Sequence, residues 1–222
     1  MDLTSKVEPA TAIKGKIRPM EPARDLGTIA DLIAAAFAGD LDERGHAALR
    51  EMRWLSRLWP LVWWWAQADP SCGEAFSGLV WEEPLPGKDG ARIVGNVSLN
   101  RAPGNRQKWI ICNVAVEAEC RGQGIGRRLT EAAIAEARSI GASGVILQVH
   151  RDNVPAFHLY TSLGFREVAG ETELLLDSVH EVAVLNAPGY QVRPWGSSDG
   201  PAAHDLARKL TPSPLQWLMP TG

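Results

Sequence analysis

Apolar residues recur along this chain in two rhythms, and the switches between them mark out its elements. Residues 17–20 read as a short strand ended by a polar turn. Leu26, Ile29, Leu32, Ile33 and Phe37 then return at helical spacing, with Asp25 placed to cap the helix they define. A second helical pattern runs from Asp42 through Leu49, Met52, Trp54, Leu55 and Leu58 to Trp63, Trp64 and Trp65, and Pro60 predicts a kink or a break within it. Three β-branched or aromatic runs follow at 75–81, 92–99 and 109–116. The turn-rich stretches 84–90 and 102–106 separate them, which predicts an antiparallel meander.

Beyond the meander the rhythm returns to helix. Leu129, Ala133, Ala137 and Ile140 share one face of a helix over 127–140 that Gly141 ends. Residues 144–149 read as an apolar strand. Asn153 caps a short helix with Pro155 in its first turn and Gly164 at its end, and 166–176 read as a last strand. The element order therefore predicts a mixed α/β fold.

Composition narrows the function classes. The chain has 222 residues, 45% of them hydrophobic and 22% charged, enough for a full core. A net charge of −3 gives no general attraction to nucleic acid or anionic lipid, so neither is an expected partner. Cys72, Cys112 and Cys120 are odd in number, far apart and outside any CxxC pair or Cys/His cluster, so no disulfide framework or metal site is expected. The first residues lack a secretory pattern, and the most apolar stretch, 54–66, is too short to cross a bilayer. A cytoplasmic location is the expectation.

The chemistry concentrates in Arg121-Gly122-Gln123-Gly124-Ile125-Gly126, a glycine-rich turn between a strand and a helix. First-turn N–H groups have no intrahelical partners and the helix dipole favours negative charge there. The glycines let an anion approach the backbone, while Arg121, Arg127 and Arg128 add positive charge. The run alone leaves a tight corner and an anion site both open. A Walker loop is excluded because Arg127 and Arg128 stand where Lys and Ser or Thr are required, and a dinucleotide fingerprint because its third glycine is missing.

Val114-Ala115-Val116 followed by this run resembles the acyl-CoA-binding motif of the GNAT (GCN5-related N-acetyltransferase) family. Residues 153–165, NVPAFHLYTSLGF, resemble the same family's N-x-x-A-x-x-L-Y-x-x-x-G-F helix at every specified position. The two motifs stand in the family's order, and the resemblance spans about residues 17–176. It departs at Cys120, where the family often has an aromatic residue.

The resemblance implies a mostly antiparallel sheet whose fourth and fifth strands splay apart, flanked by helices, with acetyl-CoA as cosubstrate and no metal. Val114, Ala115 and Val116 would pair with the pantetheine arm through their backbone. Arg121, Gly122, Gln123, Gly124, Ile125, Gly126 and Arg127 would cradle the pyrophosphate, and Asn153 would line the arm. A backbone N–H near Val116 would serve a developing oxyanion, and Tyr160 would protonate the departing thiolate. A thiol and a phenol differ by about 1.5 pKa units, so that transfer costs about 2 kcal/mol before local tuning. Glu82, Glu83, Glu117 and His150 lie at strand ends as candidate bases without an assignment.

The implied activity is acetyl transfer to a primary amine of a small molecule or a protein N-terminus, by direct attack. The rival from another class is a non-catalytic acyl-CoA-binding regulatory module. The tryptophans at 54, 59 and 63–65 suit an acceptor wall, core packing, or a homodimer or interdomain surface. Near the C-terminus, Tyr190-Gln191-Val192-Arg193-Pro194, Asp199, Ala203, Leu206 and Leu210 repeat the plan of Ile17-Arg18-Pro19, Asp25 and the first helix with one gap. The expected layout is a tail over 1–14, a GNAT domain over 15–177, and an extension over 178–222 that either resembles the start of a second, truncated domain, as in a tandem-GNAT protein, or simply packs on the first.

Overall fold

A computed structural model describes residues 14–39, 41–66, 77–85, 87, 89–103, 105–170, 189 and 193–218. These fall into two compact units, one drawn from Met1–Ala102 and Arg106–Leu163, the other from Pro103–Asn105 and Gly164–Gly222.

The first unit is built on a five-stranded sheet in the order β1-β2-β3-β4-β5, with β1 Lys16–Pro19, β2 Gly78–Pro84, β3 Ala91–Ala102, β4 Asn105–Val116 and β5 Gly144–Ile146. β1 and β2 pair antiparallel, as do β2 and β3, whereas β4 and β5 are parallel. The sheet is flanked by α1 Pro22–Ala36, α2 Glu43–Ala66, α3 Ile125–Ser139 and α4 Val154–Ser162. Ile29, Leu32 and Ile33 of α1 and Leu49 of α2 form one core cluster with Val80, Ile93 and Ala115 of the strands. Successive strand residues face opposite ways. Trp81, next to Val80, pairs with Gly95, and a Cβ on Gly95 would meet Leu129 and Ile125 of α3 at 3.0 and 3.1 Å. Helices α1 and α2 therefore cover one face and α3 the other, and α3 lies close because position 95 has no side chain.

Several boundaries differ from the pattern reading for physical reasons. Helix α1 begins at Pro22, whose fixed φ suits a first helical position, with Glu21 rather than Asp25 as N-cap. Asp25 is fully buried in the first turn, where its Oδ2 still accepts the Glu21 N–H at 2.7 Å. Helix α2 runs through Pro60 as one element, so the proline does not break it in two. Its start at Asp42 holds: Asp42 Oδ1 accepts the Gly45 N–H at 2.7 Å. Ile140 caps α3 and is 47% exposed rather than part of its buried face. β5 stops at Ile146, and residues 166–170 form no strand, being exposed and without a ladder partner. Residues 171–176 lie outside the described residues, as do Cys72, residues 190–192 and the side chains of Trp63, Trp64 and Trp65. Trp54 is 63% exposed.

In the second unit, a turn of 3₁₀ helix at Ser197–Asp199 leads into α5, Gly200–Leu210. Arg193 there forms a two-pronged pair with Asp199, at 2.7 and 2.6 Å. No helix among the described residues is long and apolar enough to cross a membrane.

Candidate active site

The site begins where β4 and β5 part. Their pairing covers Lys108↔Gly144, Trp109↔Val145 and Ile110↔Ile146 and goes no further, while β4 continues to Val116. Asn113 lies in between with φ +52°, the left-handed region that a non-glycine residue rarely enters. Such a residue re-aims a strand in the manner of a bulge. After it, Glu117 donates its N–H to Val94 O on β3 at 2.9 Å. Backbone groups alternate sides along a strand, so the N–H groups of Val114 and Val116 face away from β3, toward the edge that β5 has left. Val116 O accepts from Arg121 Nε at 3.1 Å, and Ala115 is buried on the core side.

β4 runs through a short 3₁₀ turn, Ala118–Cys120, into the glycine-rich segment and α3. Gly122 and Gly124 have φ of +76° and +81°, and a Cβ on either would meet nothing within 4 Å, so an open rim is built from residues without side chains. Gly124 is the N-cap of α3 and supplies no capping side chain, and no acid stands in the first turn. The N–H groups of Ile125, Gly126 and Arg127 therefore present the positive end of a 15-residue helix without an internal neutraliser. Ile125 anchors the turn by burial, and Gln123 donates to Glu119 O at 3.4 Å. The Arg127 guanidinium reaches Ser162 Oγ at 2.5 Å and Glu131 at 3.4 Å, which ties the start of α3 to the end of α4.

Helix α4 closes the constellation. A Cβ on Gly126 would lie 3.7 Å from Leu159 and 3.8 Å from Val116, so the end of β4, the start of α3 and the middle of α4 converge on this glycine. Tyr160, the residue after Leu159, is buried at 9% exposure, and that burial pushes its phenol above the ordinary tyrosine value. Asn153 caps α4 through Oδ1, which accepts the Ala156 N–H at 3.2 Å, and its Nδ2 is the group that can donate to a ligand.

The candidate bases fare less well. Glu82 bonds Arg18 at 3.2 Å, contacts Arg24 and lies 3.7 Å from Lys16. Desolvation alone would raise its pKa, but Arg18 and Arg24 outweigh that and hold the carboxylate below the ordinary range, which makes it a poor base. Glu83 and Glu117 both pair with Arg92, at 3.6 and 2.8 Å. His150 is exposed in the segment after β5. Burial also pushes the thiols of Cys112 and Cys120 up, so neither is set up as a nucleophile. A shallow concavity lined by Met20, Gly78, Leu99 and Glu136 contains none of the site residues.

Three residues of this region carry no motif signal. Gly95 admits α3 to the sheet, Asn113 bends β4, and Asn96 of β3 donates from Nδ2 to Asn113 O at 2.8 Å. An asparagine in the middle of a strand rich in Val and Leu was the available signal, since buried polar side chains are rare without a task.

Comparison with known proteins places the chain in a family. Residues 42–165 match the family model described as the acetyltransferase (GNAT) family. A mycothiol acetyltransferase of Thermobispora bispora is 33% identical over 154 residues, covering 68% of this chain and 46% of that protein. One from Pseudarthrobacter chlorophenolicus is 28% identical over 154 residues, covering 67% and 42%. The chain thus spans less than half the length of these curated relatives. A solved structure of the NatC complex bound to Gag peptide and CoA matches with a TM-score of 0.51 at 21% identity, covering 71% of this chain and 87% of that one, a likeness of fold.

Proposed function

The chain is a member of the acetyltransferase (GNAT) family, and from that premise we propose that it transfers an acetyl group from acetyl-CoA to a primary amine by direct attack. One observation carries the reading. The edge of β4 left open at Val114–Val116 leads straight to an uncapped, glycine-rimmed helix N-terminus. An extended amide-bearing arm ending in a pyrophosphate needs those two features in that order.

Acetyl-CoA supplies the acyl thioester. The N–H groups of Val114 and Val116 face the arm as an added strand would, and the Val116 N–H doubles as a preorganised donor to the carbonyl oxygen that gains charge. The N–H groups of Ile125, Gly126 and Arg127 hold the pyrophosphate, with Arg121, Gly122, Gln123 and Gly124 forming its rim. Asn153 lines the arm through Nδ2. Tyr160 holds the proton that the departing sulfur takes. Its raised pKa keeps the phenol protonated throughout the physiological range, as an acid must be, and makes the transfer somewhat harder than the 2 kcal/mol of unperturbed groups. The acceptor is assigned as a class, a primary amine on a small molecule or a protein N-terminus. The chain's short coverage of its mycothiol acetyltransferase relatives keeps their acceptor from being carried over.

The test is amine-dependent release of free thiol from acetyl-CoA, screened over an amine panel with wild type and Tyr160→Phe. Amine-dependent turnover, about 10²-fold slower or more in Tyr160→Phe with acetyl-CoA binding retained, supports the reading. Tight acetyl-CoA binding that no amine converts to thiol release would replace it with the non-catalytic module.

We extend the same reading to the chain's layout: a GNAT domain over 15–177 preceded by a tail over 1–14, and over 178–222 the first strand and helix of a second copy. The support is the Arg193–Asp199 pair, which repeats the bonding of Arg18 and Asp25.

A further inference from the structure

Asn96 is 1% exposed in the middle of β3, among Val94, Val97 and Leu99. Its Nδ2 donates to Asn113 O at 2.8 Å, while its Oδ1, also buried, has no hydrogen-bond partner among the described residues. Leaving a buried acceptor unpaired is unfavourable, and an apolar side chain of the same shape, leucine, would remove that cost. The fold therefore keeps this side chain for the one bond it makes. That bond ends on the carbonyl of Asn113, the only non-glycine residue with positive φ among the described residues. The strained bend is bracketed on the β3 side by Asn96 at one end and by the Glu117 N–H to Val94 O bond at the other. Between the brackets lie Val114, Ala115 and Val116.

We infer that Asn96 is a positioning residue: it pins the bend at Asn113 and thereby sets the direction in which the Val114 and Val116 N–H groups meet the acyl donor. The inference rests on the proposed transferase activity for its catalytic consequence, but its structural part stands on the chain alone. A sparsely populated backbone conformation persists only where its surroundings hold it, and one hydrogen bond from a rigid neighbouring strand is such a hold.

Asn96→Leu separates this role from plain stabilisation. With the bond removed and the unpaired oxygen gone, the melting temperature stays level or rises, while amide exchange across residues 113–117 speeds up by about tenfold and kcat/KM falls by about tenfold, the effect of one hydrogen bond. Leu26→Ala serves as the contrast. It empties a buried position of α1, lowers the melting temperature, and leaves kcat/KM of the folded protein unchanged. Unaltered exchange at 113–117 in Asn96→Leu overturns the inference, as does a fall in melting temperature with no change in local exchange relative to the rest of the sheet. The exchange measurement uses the protein alone, so an inactive wild type would sink the transferase reading and leave this result to be judged on its own.

Discussion

Arg18 and Arg193 make the same bonds in two different settings. Arg18 Nη1 donates to Pro19 O and to Asp25 Oδ2, its Nη2 donates to Asp25 Oδ1, and the Glu21 N–H donates to Asp25 Oδ2, at 3.0, 2.6, 2.9 and 2.7 Å. Arg193 repeats the pattern atom for atom with Pro194, Asp199 and the Gly196 N–H, at 3.1, 2.7, 2.6 and 2.8 Å. The difference is what surrounds the clamp. Asp25 is fully buried and Glu82 of β2 reaches the same arginine, whereas Arg193 keeps 64% of its side chain exposed and pairs among the described residues with Asp199 alone. Seven residues separate the partners in one clamp and six in the other, matching the one gap in the sequence echo. A short motif can therefore specify a turn from strand into helix by itself, and the sheet around it decides how much the turn contributes to stability.

Breaking the clamps in parallel sharpens that comparison. The largest effect is expected from Asp25→Ala, which strips the mostly buried Arg18 guanidinium of its two-pronged partner and leaves it Glu82 as the remaining carboxylate, at a cost of about 3 kcal/mol read as a lower urea midpoint of the first unit. Acid comes next. Arg18 and Arg24 hold the folded-state pKa of Glu82 below its unfolded value, so the stabilisation is fully present above the unfolded pKa near 4.3 and is lost as pH falls through the folded one. Urea midpoints at pH 7, 5, 4 and 3 are expected to hold level and then drop below pH 4, with a shallower drop in Glu82→Gln. The smallest effect belongs to Asp199→Ala. That change is expected to leave the first unit's unfolding unchanged and to speed amide exchange only locally, around residues 196–206. An equal loss of stability from Asp25→Ala and Asp199→Ala would dissolve the contrast.

The two clamps also show how far a sequence can be read. Arg-Pro followed by an aspartate was visible as a repeat in the bare string, and so were the glycine-rich turn, the helix read at 127–140 and found at 125–139, and the Asn153 cap, because each is a local pattern with a local physical cause. The burial of Asp25 was not visible, since it depends on Glu82 arriving from 57 residues further along the chain to share Arg18. The same limit hid the bend at Asn113. Within a run of strand formers, an asparagine signals tolerance of positive φ, but contacts from the neighbouring strand, the 2.8 Å bond from Asn96 and a longer one to Ser98 Oγ at 3.5 Å, turn that tolerance into a fixed bend. β5 ends at Ile146, where its pairing with β4 ends, although Leu147 and Val149 are apolar enough to read as strand.

Calorimetric titration of acetyl-CoA into wild type and Gly126→Glu decides whether the β4 edge and the α3 N-terminus form an acyl-CoA site. Position 126 has ordinary space for a Cβ and needs no positive φ, and an acid in a helix's first turn suits the dipole, so the variant keeps its fold while placing a negative charge against the pyrophosphate. Saturable binding by wild type, lost in folded Gly126→Glu, is the predicted result. Folded wild type that binds no acetyl-CoA, or a variant that binds it equally well, would contradict the account.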